Sequence, residues 1–264
     1  MEIDIFQVDA FTQKLFRGNP AAVCPLRDWI PDETMQLIAQ ENNLSETAFI
    51  VKKNDVFHIR WFTPNNEVNL CGHATLASAF VISTYLEPGK QHIKFHSQQS
   101  GKLECIYHEK TNRFRLDFPA LIPTKCSPPT GMLESLGIKN AEVFSSEYFL
   151  VVVDDQNTVQ KLQPDFHKLL HIKELTTGVI VSSQGKDVDF VSRFFAPDLS
   201  VPEDPVTGSA HCIMTPYWAN KLGKNTLSAI QLSHRRGEIE CELVGDRVYL
   251  YGYAVPYLTG TLTI

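Results

Sequence analysis

Arg60-Trp61-Phe62-Thr63-Pro64, then Glu67, then Cys71-Gly72-His73-Ala74-Thr75 is a stretch that the chain carries twice. The second copy reads Arg193-Phe194-Phe195-Ala196-Pro197, then Glu203-Asp204, then Thr207-Gly208-Ser209-Ala210-His211, with three more residues between proline and glycine. An arginine before two aromatics recurs by chance, but the residues after each copy match as well. Ala74 to Leu86 is a run of thirteen residues without a charge, and Ser209 to Asn220 is a second such run. A helix that is apolar all round is buried on all sides, and both runs are too short to span a membrane. Each is therefore expected to be the central helix of its own half, wrapped by strands, with Pro216 kinking the second or ending its first turn.

The strands come from the rest of the chain. Ile3 to Val8, Phe57 to Phe62, Ile93 to His96, Lys102 to His108 and Arg113 to Phe118 read as extended in the first half. Lys110 to Arg113 reads as the hairpin connection between the last two. Tyr148 to Val153, Gly178 to Ser182, Val188 to Phe194, Glu238 to Leu243 and Arg247 to Tyr251 serve the second half. A peripheral helix is expected in each, over Pro31 to Gln40 and Pro164 to Leu170; Pro31-Asp32-Glu33 places a proline and two acids where a helix dipole favours them. The proline-rich stretch Phe118 to Thr130 is the linker. The expected class is α/β in the α+β sense: two pseudo-symmetric halves, residues 1–117 with a returning strand over 253–264, and residues 118–252.

Composition narrows the function. The chain has 264 residues, 43% hydrophobic and 20% charged, with a formal net charge of -6. No basic stripe could neutralise a phosphate backbone, so nucleic acid is not an expected partner. The start Met1-Glu2-Ile3-Asp4 does not read as a signal peptide, and no run spans a membrane, so the cytoplasm is the expected compartment. The six cysteines lie far apart without a Cys-x-x-Cys pair and read as reduced thiols. Two His-x-x-x-His spacings occur, His92/His96 and His167/His171, but without paired cysteines at short spacing neither a zinc cluster nor another metal is expected.

A glycine just before a helix leaves the first amides open to a ligand, and with the helix dipole they form an anion site. Gly72-His73 and Gly208-Ser209 are two such starts, to which Thr75 and Ser209 could add hydroxyl donors. A substrate carboxylate or an enolate oxygen could be held there without a cofactor. Together with these, Asp9-Ala10-Phe11-Thr12, Phe16 to Val23, Asn43 to Phe49, Cys71 to Thr75 and Glu203 to Ala210 resemble the PhzF-like (phenazine biosynthesis isomerase) family of the diaminopimelate epimerase superfamily. The resemblance spans nearly the whole chain in motif order. It implies two halves, each a curved, mostly antiparallel sheet around a central helix, with the site in the cleft between them, and an isomerase that uses no cofactor.

The same resemblance places the acid/base glutamate on Glu46, the histidine on His73, the aspartate on Asp204 and the small polar residue on Ser209. Asn19, Gly72, Thr75, Gly208 and Ser209 are the expected substrate-binding positions, around a small-molecule carboxylate. A carboxylate in a turn flanked by Leu44 and Phe49, as Glu46 is expected to be, can also titrate above the free value of about 4.3. Alone, Glu46 reads as a surface glutamate, Asp204 as a turn or cap residue and His73 as a first-turn residue. Epimerases of the superfamily carry a cysteine before each helix-start glycine; this chain has Cys71 before Gly72 but Thr207 before Gly208, which speaks against a two-thiol mechanism. Two alternatives stay open: an amino-acid racemase pairing Cys71 with Glu46 or Asp204, and a silent small-molecule binding module. A homodimer is one open assembly.

Overall fold

Alternating burial along Glu2–Ala10 makes the first strand, β1. It is followed by β2 (Asn19–Leu26), helix α1 (Asp32–Asn42), β3 (Glu46–Lys53), β4 (Val56–Phe62), β5 (Glu67–Val68) and helix α2 (Gly72–Val81). A π-helical turn over Ile82–Leu86 extends α2, and β6 (His92–Ser97), β7 (Gly101–His108) and β8 (Arg113–Pro119) complete the run. The structure is a computed structural model describing residues 1–175, 177–197 and 202–264. One compact unit comprises Met1–Asp117 with Tyr251–Ile264, the other Phe118–Leu250. The C-terminal strand of the first unit, numbered β18 in chain order (Ala254–Thr263), lies antiparallel to β1.

In the first unit β1 and β2 are antiparallel, β2 and β3 parallel, β3 and β4 antiparallel, β4 and β6 parallel, and β6 and β7 antiparallel. Met35 and Ile38 of α1 pack with Ile3, Ile5, Phe49 and Phe62. Helix α2 packs against β1, β2, β3 and β7, and His73 through Val81 are all buried. Its residues are mostly small, which lets strands approach on every side. Its buried hydroxyls are satisfied within the helix: Thr75 donates to the Cys71 carbonyl at 2.6 Å and Ser78 to that of Ala74 at 2.7 Å.

The second unit runs β9 (Thr124–Lys125), α3 (Met132–Ser135), β10 (Glu142–Ser145), β11 (Phe149–Val152), α4 (Gln156–Lys161), α5 (Phe166–Leu169), β12 (Val179–Gln184), β13 (Phe190–Phe195), β14 (Glu203–Asp204), α6 (Gly208–Leu222), β15 (Thr226–Gln231), β16 (Gly237–Val244) and β17 (Arg247–Gly252). From β10 its pairings read antiparallel, parallel, antiparallel, parallel, antiparallel. This is the order of the first unit from β1. The repeat reaches side chains. Arg60 grips Glu67 through Nε and Nη2 at 2.7 and 2.6 Å, and Arg193 grips Glu203 the same way at 2.6 and 2.7 Å. Phe62 faces Glu67 across its ladder and Phe195 faces Glu203, so Asp204 corresponds to Val68.

Pro216 lies inside α6 and does not end it: the helix runs from Gly208 to Leu222. A proline lacks the N–H that would bond the carbonyl four residues back. That carbonyl, on Cys212, instead accepts the Leu121 amide at 3.0 Å. Other expectations need correction. The expected helix over Pro164 to Leu170 is only α5, while α4 and the strands β2 and β3 were not expected. In β2, Pro20 and Pro25 sit near the ends, Pro25 beyond the reach of β1, where a missing donor is tolerated.

Candidate active site

In the first unit three side chains meet at the start of α2. Glu46 is the first residue of β3 rather than part of a turn, in register with Ala21 of β2. It is delivered there by Asn43, which closes α1 in the left-handed conformation at φ 48°. His73, in the first turn of α2, places Nε2 3.0 Å from Glu46 Oε2, with side-chain exposures of 5% and 18%. The N–H and the carboxylate oxygen are out of line, so the contact is close without being an aligned hydrogen bond. On the other side of the ring, Nδ1 lies 3.1 Å from Asn19 Nδ2 and 3.4 Å from Cys71 Sγ. Nδ1 accepts the Asn19 N–H only in the neutral ring; a protonated ring carries a hydrogen on each nitrogen, with Nε2 facing Glu46.

Asn19 owes its place to a tight loop. The carboxylate of Asp9 accepts the Phe16 amide at 2.9 Å. Phe11, Phe16 and Gly18 take positive φ of 60°, 66° and 66°. At Gly18 an added Cβ would stand 2.1 Å from the Ala10 carbonyl oxygen. Only glycine lets the chain turn there into β2. The hydroxyl of Thr75 donates to the Cys71 carbonyl and is buried.

The second unit builds a comparable corner. Thr207 Oγ1 donates to Asp204 Oδ2 at 2.5 Å, and its amide donates to Gln231 Oε1 at 2.9 Å. Gln231 Nε2 in turn donates to the Asp204 carbonyl at 2.8 Å. Ser209 shares a hydrogen bond of 3.0 Å with the hydroxyl of Tyr148, whose ring stacks edge-on against Phe194. Cys71 and Thr207 occupy the N-cap positions of α2 and α6 in extended backbone, and neither start has a side-chain cap hydrogen bond. Tyr148 and Gln231 were not legible in the sequence. Tyr148 lay inside an expected strand, and nothing around Gln231 marked it.

Burial opposes a charge on His73, but the neighbouring Cys71 and Glu46 more than offset it and hold the imidazole well above its usual value. Burial, reinforced by the charge of Glu46, pushes the Cys71 thiol up to about 11. Burial also raises Tyr148, against the lowering bond from Ser209. His211, one turn into α6, is held down to about 4 by burial, with Nδ1 2.8 Å from the Thr207 carbonyl. It is a neutral core histidine. Glu46, Cys71 and His73 bring one oxygen, one sulfur and one ring nitrogen within 4.8 Å of one another, a donor set that zinc accepts. The thiol lies 3.4 Å from Nδ1 and the carboxylate 3.0 Å from Nε2 of the same ring. A carboxylate, an imidazole and a thiol within such mutual reach are also suited to holding and passing a proton.

This site sits in a sequence with many relatives. A profile of phenazine biosynthesis-like proteins matches residues 8–260. The chain belongs to that family. An uncharacterized isomerase of Pseudomonas aeruginosa is 49% identical over 262 residues, 99% of each chain. A crystal structure of a phenazine biosynthesis protein of the PhzF family from Enterococcus faecalis is 44% identical, covers 100% of both chains and superposes with a TM-score of 0.95. A hydroxyproline epimerase from Agrobacterium vitis, 9% identical over 99% of this chain and 92% of its own, reaches a TM-score of 0.65, which shows a shared fold. The phenazine biosynthesis-like chain is thus an isomerase by family, on an epimerase-like α/β fold. Among the described residues no helix is long and apolar enough to cross a membrane.

Proposed function

We propose that the protein isomerises a small carboxylate-bearing metabolite by moving a proton from one carbon to another, without a cofactor. The observation that carries this reading is the 3.0 Å contact between His73 Nε2 and Glu46 Oε2 at the start of a helix that no side chain caps. Glu46 is the general base and then the acid. It keeps 18% side-chain exposure, enough to meet a ligand, while His73 behind it is almost closed off. Negative charge that develops on the substrate is met by the first-turn amides at Gly72-His73, donors already in place before reaction. The second unit's own helix start, Gly208-Ser209, carries Asp204 as its acid and Ser209, oriented by Tyr148, as a hydroxyl donor. Asn19 holds the His73 ring at Nδ1 and leaves Nε2 facing Glu46.

The racemase reading is weaker. Its thiol would have to ionise from about 11 in a buried site, and the matching position in the second unit is Thr207, whose hydroxyl is engaged by Asp204. The test is solvent exchange. A panel of small cyclic and acyclic carboxylates with a C–H next to an unsaturated or carboxyl-bearing carbon is incubated with the protein in D2O and read by proton NMR. The reading expects protein-dependent deuterium at one carbon of at least one compound, with a shifted double bond. Deuterium wash-in that is lost with Cys71→Ser and kept with Glu46→Gln would favour the racemase.

A further inference from the structure

Glu46 opens β3, while Cys71 and His73 flank the first residue of α2. No short spacing joins them in the sequence; the packing of α2 against β3 does. One carboxylate oxygen, one thiol sulfur and one ring nitrogen lie within 4.8 Å of one another, and among the described residues no second group of three such donors does so. The protein's own hydrogen bonding leaves two of these donors over. His73 Nε2 and Glu46 Oε2 are buried atoms without an aligned hydrogen-bond partner, although they stand 3.0 Å apart. Buried polar atoms in that state call for a further partner, and a cation held by both would satisfy both. The third donor, Cys71 Sγ, lies 3.4 Å from Nδ1 of the same ring.

Tetrahedral zinc, with bonds of about 2.0–2.3 Å, sets its ligands about 3.3–3.6 Å apart, so side-chain movements on the order of 1 Å close the three donors around one ion. The donor set also selects the ion. A thiolate with an imidazole and one carboxylate suits zinc and its neighbours, whereas magnesium and calcium want a shell of oxygens. We propose that Glu46, Cys71 and His73 bind one divalent ion of the zinc class, and that the ion switches the isomerase off. Binding releases the thiol proton to solvent. Glu46, with 18% side-chain exposure, marks the side on which the ion enters and on which water completes its shell. The second unit offers no rival, because Thr207 stands where Cys71 does and Ser209 where His73 does; one ion per chain is expected. The site stands on the geometry of the donors. Its effect on turnover rests on the proposed role of Glu46, whose carboxylate the ion occupies.

The test uses the full chain with its thiols reduced, in a buffer free of chelators, and Co2+ as the optical probe. One equivalent is expected to saturate a thiolate-to-cobalt charge-transfer band in the near ultraviolet, and Zn2+ should displace it. Cys71→Ser should abolish the band, while Cys126→Ser, at the one cysteine that is not buried, should leave it unchanged. Glu46→Gln keeps the buried ring and thiol in place and should weaken cobalt binding by at least about tenfold; circular dichroism checks that each variant is folded. No charge-transfer band with Co2+ in excess, a band that survives Cys71→Ser, or binding that ignores Glu46→Gln would overturn the site. The cobalt spectrum needs no substrate, so it stands apart from the functional reading. Zinc is further expected to suppress the deuterium wash-in of the wild-type chain, with recovery on chelation. Undiminished wash-in at zinc saturation would keep the metal site, strike its inhibitory role and count against Glu46 as the base.

Discussion

Removing the His73–Glu46 contact tests whether it is an energetic unit or a chance proximity. The perturbation is a double-mutant cycle of His73→Gln and Glu46→Gln, read by chemical denaturation. At 3.0 Å the gross attraction of two unit charges is roughly 5 kcal/mol at an effective dielectric of about 20. Desolvating an imidazolium that is almost fully buried and a carboxylate that is mostly so takes back much of this. The misaligned N–H removes part of the hydrogen-bond contribution. The expected coupling is therefore about 1–3 kcal/mol. Its pH dependence fixes the sign. His73 titrates well above 6.5 in the folded protein and near its ordinary value when unfolded. The stabilisation is thus fully present below about pH 6.5 and is lost as pH rises through the raised folded value. Denaturation at about pH 6 should give the full coupling and at about pH 9.5 a smaller one. A coupling under about 0.5 kcal/mol at the lower pH, or one that does not shrink at the higher, would refute the pair as the core of the site.

Individual contacts give further expected outcomes. Gly18→Ala forces a Cβ to 2.1 Å from the Ala10 carbonyl oxygen at φ 66°, and should cost about 2–4 kcal/mol in thermal unfolding; an unchanged melting temperature contradicts the loop argument. Cys71→Ser should keep turnover within about tenfold of wild type, whereas a loss beyond about a hundredfold, the scale of a true acid–base group, would make the thiol a proton carrier. Tyr148→Phe removes the 3.0 Å partner of Ser209 and should raise KM several-fold, with stability changed by about 1 kcal/mol or less; an unaltered KM would remove Ser209 from substrate binding.

Much of the fold was legible because two signals were strong. Runs free of charge can only be buried helices at that length, and α2 and α6 occupy both. The Arg-aromatic-aromatic repeat marks β4 and β13, and the identical Arg–Glu clasps after them show why both copies keep the arginine and the acid. Strands β2 and β3 were illegible for local reasons: β2 carries two prolines and small residues, and β3 begins directly from a left-handed turn, so Glu46 looked like part of that turn. At the site, spacing in sequence pointed to His73 and Gly72, while the approach of Asn19 and Cys71 to the same ring depends on how β2 meets α2. The hydroxyl of Thr75 bonds its own helix, which a first-turn hydroxyl does as readily as it bonds a ligand. Tyr148 reaches Ser209 from 61 residues away, a tertiary contact without a local trace.

The most direct test of the proposed chemistry is the fate of one proton. Glu46→Gln keeps the size of the side chain and cannot exchange a proton. With a carboxylate that wild-type protein labels in D2O, the variant is expected to bind the compound with nearly unchanged affinity, measured by calorimetry, and to incorporate no deuterium above background. Deuterium incorporation by Glu46→Gln at the wild-type rate would show that the proton travels through another group, and the assignment of Glu46 as the acid/base would fall.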